Sequence, residues 1–271
     1  MKLPECSTLL VERREHALYV TLNRPDSRNA MSLAMVGELR EIFAAVAADK
    51  GHEVRAIVLR GAGGHFCSGG DVKDMAGAAA PGDGNSDPWF ELNRAFGRML
   101  TMVRESPALV VAVLEGTVMG GGFGLACISD VAIAAEDARF ALPETSLGLI
   151  PAQIAPFVVE RIGLTRARRI MLLGLRLDGR EALAEGIVHE VCPGGELAAR
   201  LDAVLQQVRR CAPAANAATK RLALAVGHKP MEELLDEAAR DFSAAVRGPE
   251  GSEGTLAFIQ KRQPVWMQQK G

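Results

Sequence analysis

Two apolar segments, residues 54–59 (VRAIVL) and 109–114 (LVVAVL), each run straight into a glycine-rich turn, at 61–70 and 116–124. Neither segment alternates polar with apolar residues, so each reads as a strand covered on both faces. Strands buried in that way imply parallel neighbours, with helices returning the chain between them. In the first turn, HFCSGGD, Gly69 and Gly70 let the backbone bend sharply and expose its N–H groups, and Asp71 is placed to cap a following helix. In the second, VMGGGFG, three glycines permit close approach of a ligand. They also leave free N–H groups at a helix start, where negative charge is favoured.

The rest of the chain repeats this strand, turn and helix order. Residues 16–22 (HALYVTL) read as a strand that turns at Asn23-Arg24-Pro25-Asp26. Ser32 is a good N-cap for a helix carrying Met35, Leu39, Ile42, Phe43 and Val46 at helical spacing. Residues 76–88 (AGAAAPGDGNSDP) read as a loop, and residues 89–103 as a helix. A short buried helix (FGLACI) follows the second glycine turn. Shorter strands are expected at 131–134 and 139–142, before a Pro143-Glu144 turn. From Pro156 onward the pattern is helical, with amphipathic stretches at 197–208 and 231–246 and a last helix over 255–270. A doubly wound parallel sheet is the first generic expectation for such an order.

Composition narrows the class. The chain has 271 residues, 48% of them hydrophobic and 24% charged, enough to build a core without disulfide or metal staples. A formal net charge of -2 gives no basic stripe for nucleic acid. The five cysteines, Cys6, Cys67, Cys127, Cys192 and Cys211, form no close pair. That argues for a reducing compartment and against zinc. The opening residues lack a long apolar run and no stretch is apolar enough to span a membrane, so a cytoplasmic protein without membrane contact is expected.

Neither glycine turn spells GxGxxG after the first strand with an acid suitably downstream, and neither carries the GK[ST] of a phosphate loop. Two N–H-bearing turns without an accompanying nucleophile–histidine motif fit an oxyanion hole instead.

The segments HFCSGGDVKDM, VMGGGFGLA and FALPETSLGLIP, in that order, with NRPDSRNAMS after the first strand, resemble the crotonase (enoyl-CoA hydratase/isomerase) superfamily. The resemblance runs from about Leu9 to the tail. It implies a right-handed spiral of ββα units in place of the doubly wound sheet. Residues 1–200 would be the core holding an acyl-CoA site, and residues 201–271 a helical oligomerisation region. It implies a homotrimer or a dimer of trimers. No cofactor is implied, coenzyme A being part of the substrate. Carried over residue by residue, the oxyanion amides fall on Ser68 and Gly121, and contacts to coenzyme A on Arg28, Ala30, Lys73, Phe258 and Lys261, the last two often reaching a neighbour's ligand.

Hydratases of the family use two glutamates. The resemblance places one on Glu144, in the Pro143-Glu144 turn, while Gly124 stands where the other is usual. Glu115, Asp130 and His65 lie near the turns and read as structural. A single carboxylate can activate water and return the same proton in a syn addition, and it also suffices for a Δ3,Δ2-enoyl-CoA isomerase. The run from Gly120 to Val159 is similar to the methylglutaconyl-CoA and isohexenylglutaconyl-CoA hydratase branch. That likeness makes a hydratase of a branched or glutaconyl-type enoyl-CoA the first expectation. The isomerase and a non-catalytic acyl-CoA-binding subunit are the alternatives.

Overall fold

The computed structural model describes residues 1–71 and 87–268. Lys73, the helix expected near Asp71 and residues 76–86 of the expected loop lie outside the described residues. Six strands form the main sheet in the order β1, β2, β3, β4, β6, β9. They are β1 (Leu9–Arg14), β2 (Ala17–Leu22), β3 (Ala56–Gly61), β4 (Leu109–Leu114), β6 (Val131–Ala135) and β9 (Glu190–Cys192). All the pairings are parallel except the β1–β2 hairpin. β4 is buried along nearly its whole length, as its unbroken apolar run requires.

A second, smaller sheet joins β5 (Thr117–Met119), β7 (Arg139–Ala141) and β8 (Arg176–Leu177). Two parallel bridges, Cys67 to Val118 and Met31 to Gly70, pair further short extended stretches beside it. The chain therefore visits the main sheet, then the second tier, then a helix, and repeats. β2 leads to Met31 and α1 (Leu33–Ala48). β4 leads to β5 and α3 (Gly121–Ile128), and β6 leads to β7 and α4 (Ala155–Leu173). This is the ββα spiral, not a doubly wound sheet. In a doubly wound sheet each strand would pass directly into its helix.

Ser32 caps α1 by accepting from the Met35 amide, as expected from its position. The helix α2 (Pro88–Arg104) buries Gly97, Met99, Leu100 and Val103. Phe43, Phe66, Phe123 and Phe140 anchor the core, the last two meeting edge to face at 6.2 Å. After α5 (Gly179–Glu185) and β9 the chain is helical: α6 (Leu197–Arg210), α7 (Pro213–Ala225), α8 (Met231–Arg247), α9 (Pro249–Ile259) and α10 (Val265–Gln268). Residue 200 falls inside α6, whose Leu197, Leu201 and Val208 belong to the core. The single last helix expected over 255–270 is instead α9 and α10. The break is held by Glu253, whose carboxylate accepts from Arg262 and from the Val265 amide. No described helix is long and apolar enough to cross a membrane.

Candidate active site

The two glycine turns lie side by side because their strands do. Cys67 donates its amide to Thr117 O and accepts from the Met119 amide, so the turns that follow stay in register. Gly120 adopts φ 49° and ψ -114°, a conformation that only glycine takes readily. A Cβ there would sit 3.3 Å from the Gly69 Cα and 3.2 Å from the Glu144 Oε1. The three motifs expected to act together thus meet at one point. The Gly120 amide is tied to Ala141 O at 3.1 Å, which joins the second turn to the strand leading into the Pro143-Glu144 turn.

They line a cavity of about 320 Å³. Its walls include Met31, Leu92, Phe96, Leu147, Leu149 and Ile150, so it is largely apolar. Of the expected residues, Ser68, Gly121 and Glu144 line it, together with Gly69, Gly70 and Gly120. One oxygen of the Glu144 carboxylate, Oε2, is buried with no hydrogen-bond partner among the described residues. Burial pushes the Glu144 carboxyl above the usual carboxylate range, opposed only by a backbone hydrogen bond. Asp71, the other acid in the lining, is paired with Arg24 at 2.6 Å. Of these two acids, Glu144 is the one without an ion-pair partner among the described residues.

The expectation for the Ser68 amide needs correction. That N–H donates to the Arg28 carbonyl at 3.0 Å, and the Ser68 hydroxyl donates to Ser27 O at 2.9 Å. Both of its donors are spent inside the protein. Two residues on, the bridge to Met31 uses the Gly69 carbonyl and the Asp71 amide, and so turns the Gly70 amide away from Met31. The Gly70 amide has no acceptor among the described residues. The Gly121 amide, in the first turn of α3 where no intrahelical acceptor exists, likewise has no acceptor among the described residues.

Gly124 is fully buried against other side chains. A Cβ there would already lie 3.3 Å and 3.4 Å from Ile154 and 3.6 Å from Leu100. The space for a second carboxylate is filled by hydrocarbon, so its absence is built into the packing. His65 accepts the Thr117 amide at Nδ1, and Asp130 accepts from the Val110 amide and from Lys220. Both are structural, as expected, and Glu115 contributes its carbonyl to the Phe66 amide.

The expected coenzyme A contacts divide. Arg28 is exposed at the end of the turn after β2, with φ 49°. Ala30 is half-buried, and its carbonyl accepts from Arg24 Nη1 at 2.6 Å. Neither lines the cavity, but Arg28 touches its rim through Ser68. Phe258, 85% exposed on α9, and Lys261, just beyond it, are not brought to the cavity within this chain.

Three residues that the motif reading passed over organise the site. Asn29, fully buried, accepts the Arg24 amide and donates to Ala62 O and His65 O, so it clamps the turn after β2 to the first glycine turn. Arg24 links Ala30 O to Asp71. Gln153 lines the cavity and accepts from Arg94 at 3.2 Å. The NRPDSRNA spacing carried a signal for Asn29 and Arg24. Nothing local in the sequence marks Gln153.

Residues 12–269 match the family model "Enoyl-CoA hydratase/isomerase". A putative enoyl-CoA hydratase of Thermus thermophilus is 31% identical over 92% of this chain and 96% of its own length. A carnitinyl-CoA dehydratase of Escherichia coli is 32% identical over 96% and 98%. Among solved structures, the Pseudomonas aeruginosa protein AtuE is 62% identical with a TM-score of 0.93, over 96% of this chain and all of that one. An enoyl-CoA hydratase/isomerase from Marinobacter aquaeolei is 59% identical with the same score, over 97% and all of its chain. The spiral, the paired glycine turns and these matches together place the chain in the enoyl-CoA hydratase/isomerase family of enzymes.

Proposed function

We propose that the protein hydrates a branched or glutaconyl-type enoyl-CoA, such as 3-methylglutaconyl-CoA or isohexenylglutaconyl-CoA. The thioester carbonyl lies between the Gly70 and Gly121 amides, with Gly70 replacing Ser68 as donor. Glu144 takes a proton from water as the oxygen adds to Cβ, and the enolate charge that develops is held by the two amides. The Glu144 carboxyl then returns that proton to Cα, so atoms and charge balance in a syn addition. Each amide is worth about 3 kcal/mol of transition-state stabilisation. Arg28, Ala30 and Lys73 serve coenzyme A, and Phe258 and Lys261 serve the ligand of a neighbouring copy in a homotrimer or dimer of trimers.

The observation that carries this reading is the half-buried Glu144 carboxylate, one oxygen of which has no partner among the described residues, beside two amides with no acceptor among them in an apolar cavity. The packing around Gly124 also favours a second reading, a Δ3,Δ2-enoyl-CoA isomerase, since one carboxylate can shuttle a proton between Cα and Cγ. Product analysis on a panel of enoyl-CoAs separates the two. A hydroxyacyl-CoA product supports the hydratase and a shifted double bond the isomerase. Turnover undiminished in Glu144→Gln removes the role given to Glu144 in either.

A further inference from the structure

The α2 wall of the cavity holds a polar feature that proton transfer does not use. In a largely apolar lining, Asn93 and Gln153 are polar side chains on this wall. The Gln153 carbonyl oxygen accepts from Arg94 Nη1 at 3.2 Å. A guanidinium can only donate, so this contact fixes which way the Gln153 amide faces and leaves its NH₂ as the group on offer. That NH₂ has no acceptor among the described residues.

Space for the pair is made by Gly97. A Cβ at that position would fall 1.8 Å from the Gln153 Oε1 and 2.8 Å from Arg94 Nη1. Arg94 is half-buried, and among the described residues its guanidinium meets only this neutral oxygen and no carboxylate. A half-buried cation that meets no carboxylate among the described residues favours an anion arriving nearby. The wall therefore presents donors backed by positive charge, which suits an acceptor-only anionic group.

We infer that Gln153, oriented by Arg94, receives a carboxylate carried on the acyl chain and so selects thioesters of dicarboxylic acids. Gln153 is the specificity-determining contact and Arg94 its positioning residue. The inference rests on the cavity being the acyl-CoA site proposed above, and it names the group that would recognise the second carboxylate.

Calorimetric binding of two saturated, unreactive thioesters, glutaryl-CoA and butyryl-CoA, tests this without turnover. The intact protein should bind glutaryl-CoA about tenfold more tightly, about 1.4 kcal/mol. Gln153→Leu, Arg94→Met and Gly97→Ala should each bring the ratio of affinities toward one, whereas Arg94→Lys, which keeps a donor, should retain an intermediate ratio. A ratio near one in the intact protein overturns the inference whether or not any variant folds, and so does an unchanged ratio in Gln153→Leu. Preference for glutaryl-CoA without turnover of any enoyl-CoA would remove the proposed reaction and leave this inference standing. Hydration of crotonyl-CoA without that preference would do the reverse.

Discussion

At the scale of single residues, Glu144 couples activity to stability. Its carboxyl is held above the usual range by burial, with 4.5 as the ordinary value. In the proposed role of base it must be ionised, so kcat/KM should rise with pH through an acid limb lying above 4.5 and then level off. An acid limb at or below that value in a pH–rate profile would contradict the desolvated base. The same shift sets a stability slope of opposite sign. Below 4.5 the carboxyl is protonated folded or unfolded; as pH rises the unfolded chain ionises first, so the group's contribution to stability falls until the folded carboxyl ionises too. Glu144→Gln does not titrate. It should lose about 10²–10⁴-fold in rate, yet gain stability over the wild type as urea melts move from acid to neutral pH. Equal pH dependence of the two melts would show that Glu144 is not desolvated. The place of Glu144 in the cavity lining was legible in the sequence because Pro143-Glu144 sits in a contiguous motif. That the Ser68 amide is spent is not legible there, because only its non-local hydrogen bond to the Arg28 carbonyl shows it.

At the scale of elements, what the pattern showed and what it hid follow from length. The long apolar strands and amphipathic helices were readable, since their burial imposes a period on many residues. β5, β8 and β9 have three residues or fewer and are defined by what they pair with, so no period betrays them. β1 (LLVERR) is mostly open to solvent and its apolar run stops at Val11, and its pairing with β2 makes it a strand. These pairings align the turns, and their strength can be tested at Asn29. Asn29→Ala would leave the Arg24 amide and the Ala62 and His65 carbonyls without their partner. It should cost about 2–4 kcal/mol in urea unfolding and lower kcat as the first glycine turn loosens. A cost below about 0.5 kcal/mol, the level of an ordinary surface change, would show that the clamp does not hold the turn. α3 offers the complementary test. Gly124→Glu, which restores the residue usual in two-glutamate hydratases, should destabilise by about 1–3 kcal/mol through overpacking against Ile154 and Leu100. It should not raise activity, whereas Gly124→Glu with Ile154→Ala should recover part of the stability. A stable, more active single variant would show that the helix can yield.

At the scale of the whole molecule, the apolar surface on the C-terminal helices needs an explanation. Phe242 is 72% exposed on α8, and Phe258 and Ile259 are 85% and 71% exposed at the end of α9. Scattered apolar residues are ordinary on protein surfaces, but several large ones on two neighbouring helices mark a face that association would cover. α7 is meanwhile anchored to the sheet through Lys220, whose ammonium pairs with Asp130 at 2.7 Å. The helices therefore present this face from a fixed base. Closed symmetric assemblies satisfy such a face without leaving an open end. Sedimentation of the protein should give three or six times the chain mass of 28.8 kDa. Phe258→Asp together with Ile259→Asp should shift it toward the monomer by placing charge on this exposed apolar surface. If Phe258 and Lys261 also reach a neighbour's coenzyme A, dissociation should raise KM for the thioester more than it lowers kcat, because the carboxylate and both amides stay within one chain. A wild-type protein that sediments as a monomer with full activity would remove both the assembly and the shared ligand contact, and would leave the chemistry at Glu144 untouched.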